Sequence, residues 1–132
     1  MNLNAWANEI HENAVAHGWW EQERELPEIL MLIVSELAEA LEEARAGRPM
    51  VWYECIVEEI PCEGVKCSLY NNDGSCLTGK LSPKPEGIAV EVIDALIRIL
   101  DWCGHEGLDV EELVREKHEY NKSRPYKHGK KF

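Results

Sequence analysis

Two pairs of acidic residues carry a spacing that chemistry can use. Glu36 and Glu39 stand three apart in one segment of helical periodicity, and Glu91 and Asp94 stand three apart in another. Three residues are nearly one helical turn, so each pair projects its carboxylates from one face. Four carboxylates gathered in a partly dry groove repel one another, and protons or a cation must neutralise them. A set of oxygen ligands without His or Cys favours a hard ion. Mg²⁺ or Mn²⁺ suits carboxylates combined with waters and substrate phosphates, and zinc is disfavoured. Any of Glu36, Glu39 or Glu42 is a candidate to take a proton from an attacking water, and spacing does not choose among them.

The two pairs differ in weight. Glu36, Glu39, Glu42 and Glu43 would equally serve as the solvated outer face of an amphipathic helix. Glu91 and Asp94 begin a line with Arg98 and Asp101, at spacings of three, four and three, inside a segment from Ile88 to Cys103 that is otherwise apolar nearly all round. Acids in such a helix are costly unless they are paired or ligate a metal. A structural network in which Arg98 neutralises Asp94 or Asp101 is the competing reading.

The elements that must position these residues are helical. Trp6, Ile10, Ala14 and His17 recur at helical spacing ahead of Gly18, which predicts a first helix over about 4–17. Pro27 suits a helix start, and Leu30, Ile33, Leu37, Leu41 and Ala44 repeat until Gly47 and Pro49, with Leu37 and Leu41 expected to face the core. A third helix is expected from about Glu86 to Gly104, buried on most sides. Asp109 with Glu112 makes a capping-box pattern for a fourth, ending near Asn121. Between them, over about 50–86, the helical pattern vanishes. Val51, Trp52, Tyr53, Ile56, Val57 and the turn Asn72-Asp73-Gly74 indicate an irregular, Cys-bearing insertion with room for a short β-hairpin. The expected fold is therefore an all-α bundle of about four helices in one domain over 1–132, with that insertion and a basic tail over about 122–132.

Composition narrows the partners. The net charge is −11, yet residues 115–132 hold half of the Lys and Arg against only Glu116 and Glu119, which leaves an acidic body. Such a body repels a nucleic-acid backbone but can hold a polyphosphate through divalent cations. The first 20 residues lack a basic start, and the longest apolar run, Ile29 to Val34, is six residues, so neither export nor a membrane span is expected and a cytoplasmic protein is. Cys55, Cys62, Cys67 and Cys76 lack the CxxC knuckles of zinc ribbons. A small structural metal site, a disulfide-linked loop and free thiols all remain open for them.

The segments Ser35-Glu36-Leu37-Ala38-Glu39-Ala40-Leu41 and Glu91-Val92-Ile93-Asp94 resemble the two halves of the metal motif of the MazG-like family, ExxE on one helix and ExxD on a later one. The resemblance continues in Gly18-Trp19-Trp20, in Ala95 to Asp101, in Lys117 and Asn121, and in Arg124 to Lys130, on both flanks of the insertion. It implies an all-α, dimeric or tetrameric nucleotide pyrophosphohydrolase that cleaves a nucleoside triphosphate between the α and β phosphates. The family's four metal ligands would fall on Glu36, Glu39, Glu91 and Asp94, and its substrate-binding Lys and Asn on Lys117 and Asn121. Ser35 departs from the family, whose members often have a second Glu there. The insertion sets Glu39 and Glu91 further apart than is usual.

Other residues are weighed on their chemistry. Arg124 and Lys127 are candidates for the outer phosphates, against a mobile basic end. Trp19 and Trp20 could stack on a nucleobase, with core packing as the alternative for one of them. His11, His17, His105, His118 and His128 have no metal-site spacing. The rival function is a non-catalytic helical module that binds a protein partner, with the acidic stripe structural. A partner copy is expected to cover part of the apolar third helix.

Overall fold

The computed structural model of the chain describes residues 1–57, 60–63 and 84–132, with 54–57 and 60–63 described by their backbone. Four helices carry the architecture: α1 (Leu3–Ala16), α2 (Leu26–Arg45), α3 (Ile88–His105) and α4 (Val110–Lys122). A small sheet is built from β1 (Trp52–Val57), β2 (Ile60–Glu63) and β3 (Lys84–Glu86), in the order β2-β1-β3. The fold is all-α with a small β element, and each helix falls within a few residues of the span its periodicity predicts. No described helix is long and apolar enough to cross a membrane. The chain divides into a terminal unit, residues 1–25 and 97–132, and a central unit, residues 26–96.

In the terminal unit the core is Ala7, Leu100, Cys103 and Val110, with Leu3, Ile10, Trp102 and Leu108 packed against it. Its helix starts interlock. Asn2 caps α1 by accepting from the Ala5 amide at 2.9 Å, and the Leu3 amide donates to Glu111 at 2.6 Å. The Asn4 side chain donates to Asp109 and accepts from the Val110 amide at 2.7 Å. Asp109 accepts from the Glu112 amide at 3.0 Å, the bond that a capping box requires. These contacts satisfy amides that the first turns of α1 and α4 leave without helical partners. Gly104 permits the closest approach: a Cβ there would lie 2.5 Å from the Ala7 carbonyl oxygen.

In the central unit, β1 pairs antiparallel with β2, setting Cys55 opposite Cys62, and with β3, setting Trp52 opposite Glu86. Gly87 follows β3 with φ +115, and a Cβ at that position would lie 2.7 Å from the Met50 carbonyl oxygen. The Ala89 amide then donates to that same carbonyl at 2.9 Å. On the other side of the junction, the Trp52 indole donates to Glu43 at 2.9 Å and the Arg48 guanidinium lies over the Trp52 ring. The turn at Asn72-Asp73-Gly74, Cys67 and Cys76, and the side chains of Cys55 and Cys62, lie outside the described residues, and with them the proposed cysteine metal site. Cys103 is a buried free thiol whose pKa burial pushes up.

Two packing expectations are corrected. Leu37 and Leu41 do not face the core: they are 48% and 57% exposed, and the buried line of α2 is Ile29, Glu36 and Ala40. The apolar arc of α2 is wider than its neighbours in the chain cover, and an acid occupies the covered part. The third helix is likewise not buried on most sides, because Val92, Ile93 and Leu96 are 40% exposed or more while Glu91, Ala95, Leu100 and Cys103 are buried.

Replacing Gly104 by Ala tests the close approach. In an open helix that change would add up to about 1 kcal/mol of stability. Here the overlap with α1 is expected to reverse the sign, with a loss of about 1–3 kcal/mol read by denaturant unfolding.

Candidate metal centre

The third and fourth turns of α2 and the first turns of α3 bring three carboxylates together. Glu36 and Glu91 are buried, Asp94 is half-buried, and one oxygen from each lies within 4.8 Å of the others. Glu36 shares the buried line of α2 with Ile29 and Ala40. Glu91 sits in the first turn of α3, directly after the Gly87 junction, and its amide donates to the Gly87 carbonyl at 3.0 Å. Both residues lie within helices and on their buried sides, which places the carboxylates close together instead of turned out into water.

Electrostatics follow from that crowding. The Glu91 carboxyl is pushed up from its ordinary 4.5 to about 7, first by burial and then by the charges of Glu39, Glu86, Asp94 and Glu36. Glu39 is exposed, at the rim of the group, close enough for its charge to be felt at Glu91. Glu86 is a contributor that the sequence reading passed over. It is ion-paired with Lys84 on β3, and its place beside Glu91 depends on the return of the insertion to α3. Its only signal in the sequence is its distance of five residues from Glu91. Ser35 donates its hydroxyl to its own helix, to the Leu32 carbonyl at 2.7 Å. Glu42 is exposed and lies 3.5 Å from the Arg45 guanidinium. Glu43 holds the Trp52 indole.

The donor set fits a hard divalent cation. Three carboxylates from two helices offer oxygens at separations that one ion can span, two of them shielded from water and one already driven to hold a proton. Glu36, Glu91 and Asp94 would be direct ligands, with Glu39 at the open side.

The remaining sequence candidates lie in the terminal unit. Trp19 is 64% exposed, whereas Trp20 is half-buried, stacked on His105 at 3.9 Å between ring centroids, and its indole donates to Asp101 at 3.0 Å. His11 Nδ1 lies 2.8 Å from the same carboxylate, with its ring edge-on to Trp20 and to His105. His11 and His105, assigned no chemistry from spacing, are thus built into one cluster around Asp101. The signal that could have found it is Asp101 itself, an acid in an apolar helix that needs donors. Lys117 lies over the Tyr120 ring at 5.0 Å and Arg124 over the same ring at 5.8 Å. Lys117 and Asn121 also line a groove of about 450 Å³ floored by Trp102 and Leu113. Lys127 is exposed, with φ 50, in a short turn over Tyr126–Gly129.

Comparison of the chain with protein-family models, curated proteins and solved structures gives no match in any of the three.

The raised Glu91 carboxyl has a sign that stability measurements can read. Between pH 4.5 and about 7 the folded chain holds a proton that the unfolded chain has released, so without a divalent cation stability falls as pH rises through that window. A cation held by these carboxylates would take the place of the proton, so its stabilising effect would grow over the same window. Melting in a chelator is expected to be higher at pH 5.5 than at pH 8. Mg²⁺ at a hundred times its dissociation constant should restore about 2.7 kcal/mol at pH 8 and less at pH 5.5. Glu91→Gln should flatten the pH dependence and weaken the Mg²⁺ response.

Proposed function

We propose that the chain is a Mg²⁺-dependent, MazG-like nucleoside triphosphate pyrophosphohydrolase that acts as a homo-oligomer, with Mn²⁺ as an alternative ion. The observation that supports it most is the convergence of Glu36, Glu91 and Asp94 within 4.8 Å, two of them buried, on the helices that carry the ExxE and ExxD segments. A solvated acidic face has no reason to bury Glu36 and Glu91 together.

In this reading Glu36, Glu91 and Asp94 hold the cation and Glu39 completes the set from the rim. The cation supplies neutralisation of the phosphate oxygens and a lowered pKa for the attacking water. Water attacks the α phosphorus, the bond to the α–β bridging oxygen breaks, and pyrophosphate leaves with that oxygen. The proton lost by the water goes to a carboxylate. Glu42, exposed and outside the ligand set, is the candidate to accept and release it, since Glu36 and Glu39 are committed to the cation in this reading. Ser35, turned to the Leu32 carbonyl, takes no part. Lys117 and Asn121 match the family's substrate-binding pair, Arg124 and Lys127 have the charge for phosphate, and exposed Trp19 has a face free to stack on a base.

The second reading, a non-catalytic module that binds a protein partner, is favoured by the apolar groove beside α4. One assay separates the two. Purified chain with Mg²⁺ and a panel of standard and modified nucleoside triphosphates is expected to release pyrophosphate and the monophosphate. Glu91→Gln and Asp94→Asn should each reduce turnover by about 10²–10³-fold with unchanged circular dichroism. Absence of pyrophosphate from every triphosphate, with Mg²⁺ or Mn²⁺, would put the binding module ahead.

A further inference from the structure

β1 and β2 run antiparallel with Cys55 opposite Cys62, and the last pair of the ladder, Val57 with Ile60, is joined through residues 58 and 59 alone. Residues directly opposite in an antiparallel pair belong to one face of the sheet. Their Cα atoms stand about 4.5–5.5 Å apart, inside the ~4.4–6.8 Å that a disulfide spans. We propose that Cys55 and Cys62 form a reversible cross-strand disulfide, a thiol–disulfide modification site on the hairpin of the insertion.

The register also gives the bond something to hold. β2 is an edge strand of four residues, paired among the described residues with β1 only. Next to the cysteine pair, Glu54 stands opposite Glu63, and like charges set directly opposite destabilise a ladder. A covalent link one pair further along offsets that repulsion by restricting how far the strands can part. The bond is nonetheless a reducible one. Cβ atoms of directly opposed residues lie about 4.5–5.5 Å apart, wider than the ~3.5–4.5 Å of a relaxed disulfide. Closing it draws the strands together, and a disulfide closed under strain is one that ambient thiols reopen.

Charge selects the oxidant. Glu54, Glu58, Glu59 and Glu63 flank the two thiols in sequence and disfavour an anionic reagent, which leaves an uncharged small-molecule disulfide. One cysteine thiolate attacks a sulfur of that disulfide, forming a mixed disulfide and releasing one thiol. The second thiolate attacks the protein sulfur of the mixed disulfide and releases the other. The cysteines lose two protons and two electrons, which leave with the oxidant as two thiols. The far end of β1 is fastened separately, by Trp52 opposite Glu86 and by its indole on Glu43, so the bond acts on the outer end of the hairpin. None of the carboxylates of the metal centre takes part, so disulfide formation and nucleotide turnover can each be present without the other.

The test equilibrates the folded full chain with bis(2-hydroxyethyl) disulfide, alkylates the remaining thiols and cleaves after Glu. Cuts after Glu58 and Glu59 separate the two cysteines, so segments 55–58 and 60–63 stay together only through a disulfide. They are expected to be recovered linked by mass spectrometry and to separate with dithiothreitol. In urea, at the same ratio of disulfide to thiol, the ratio of linked to open chain should fall on the order of tenfold, because strand pairing no longer holds the thiols together. Cys67→Ser combined with Cys76→Ser should leave the linked product, and Cys55→Ser or Cys62→Ser should abolish it. Unlinked segments from the folded chain, linkage of Cys55 or Cys62 to Cys67 or Cys76 instead, or an equal yield in urea would each overturn the proposal.

Discussion

Carboxylates held closer than their charges tolerate set the terms for the central unit. Glu36 and Glu91 are both shielded from water, and an isolated ionised acid in such a place costs several kcal/mol. Repulsion from Asp94, Glu39 and Glu86 adds to that cost at Glu91. The fold holds this arrangement because neither helix can turn its acid outward without moving its own apolar contacts: Ile29 and Ala40 share the line of Glu36, and Ala95 is buried one turn beyond Glu91. The result is a group in which Glu91 holds its proton up to about neutral pH, the response of a carboxyl that has no room for another charge.

The acidic line of α3 meets two different ends. Glu91 stands among the charges of Glu39, Glu86, Asp94 and Glu36, so negative charge accumulates there. Asp101, from the same line, is surrounded by donors: the Trp20 indole at 3.0 Å and His11 Nδ1 at 2.8 Å. There the carboxylate organises aromatic rings, and Trp20 stacks on His105 as a consequence. One helix thus carries an acid kept reactive by its neighbours and an acid kept quiet by them. The difference lies in what each unit packs against the helix, not in the helix itself.

Much of this was legible before any coordinates. The three-residue spacing of Glu36 with Glu39 and of Glu91 with Asp94, the capping pair Asp109 and Glu112, and the apolar periodicities were enough to place the helices and to single out Glu91 and Asp94. What the residues could not reveal was which part of a wide apolar arc is covered. Leu37 and Leu41 have the same hydrophobicity as Ile29, and periodicity fixes a face only to within the width of the arc. Glu86 was invisible for another reason. Its place depends on where a long insertion returns, and that is set by pairing between residues more than thirty positions apart, Trp52 with Glu86. Trp19 and Trp20 are adjacent in sequence, and only burial tells the exposed ring from the anchored one.

The junction at Met50 and Gly87 has a further meaning. One carbonyl, that of Met50, receives the Ala89 amide, and Gly87 lies so close beneath it that no larger residue fits. The strand pair β1–β3 begins immediately beyond, so the insertion leaves and re-enters the helical framework at this clasp. A loop closed at its base passes little of its length or sequence to what lies below, since the entropy of closing it grows only with the logarithm of its size. Residues beyond the clasp can therefore lengthen, shorten or diverge while Glu91 keeps its distance from Glu36.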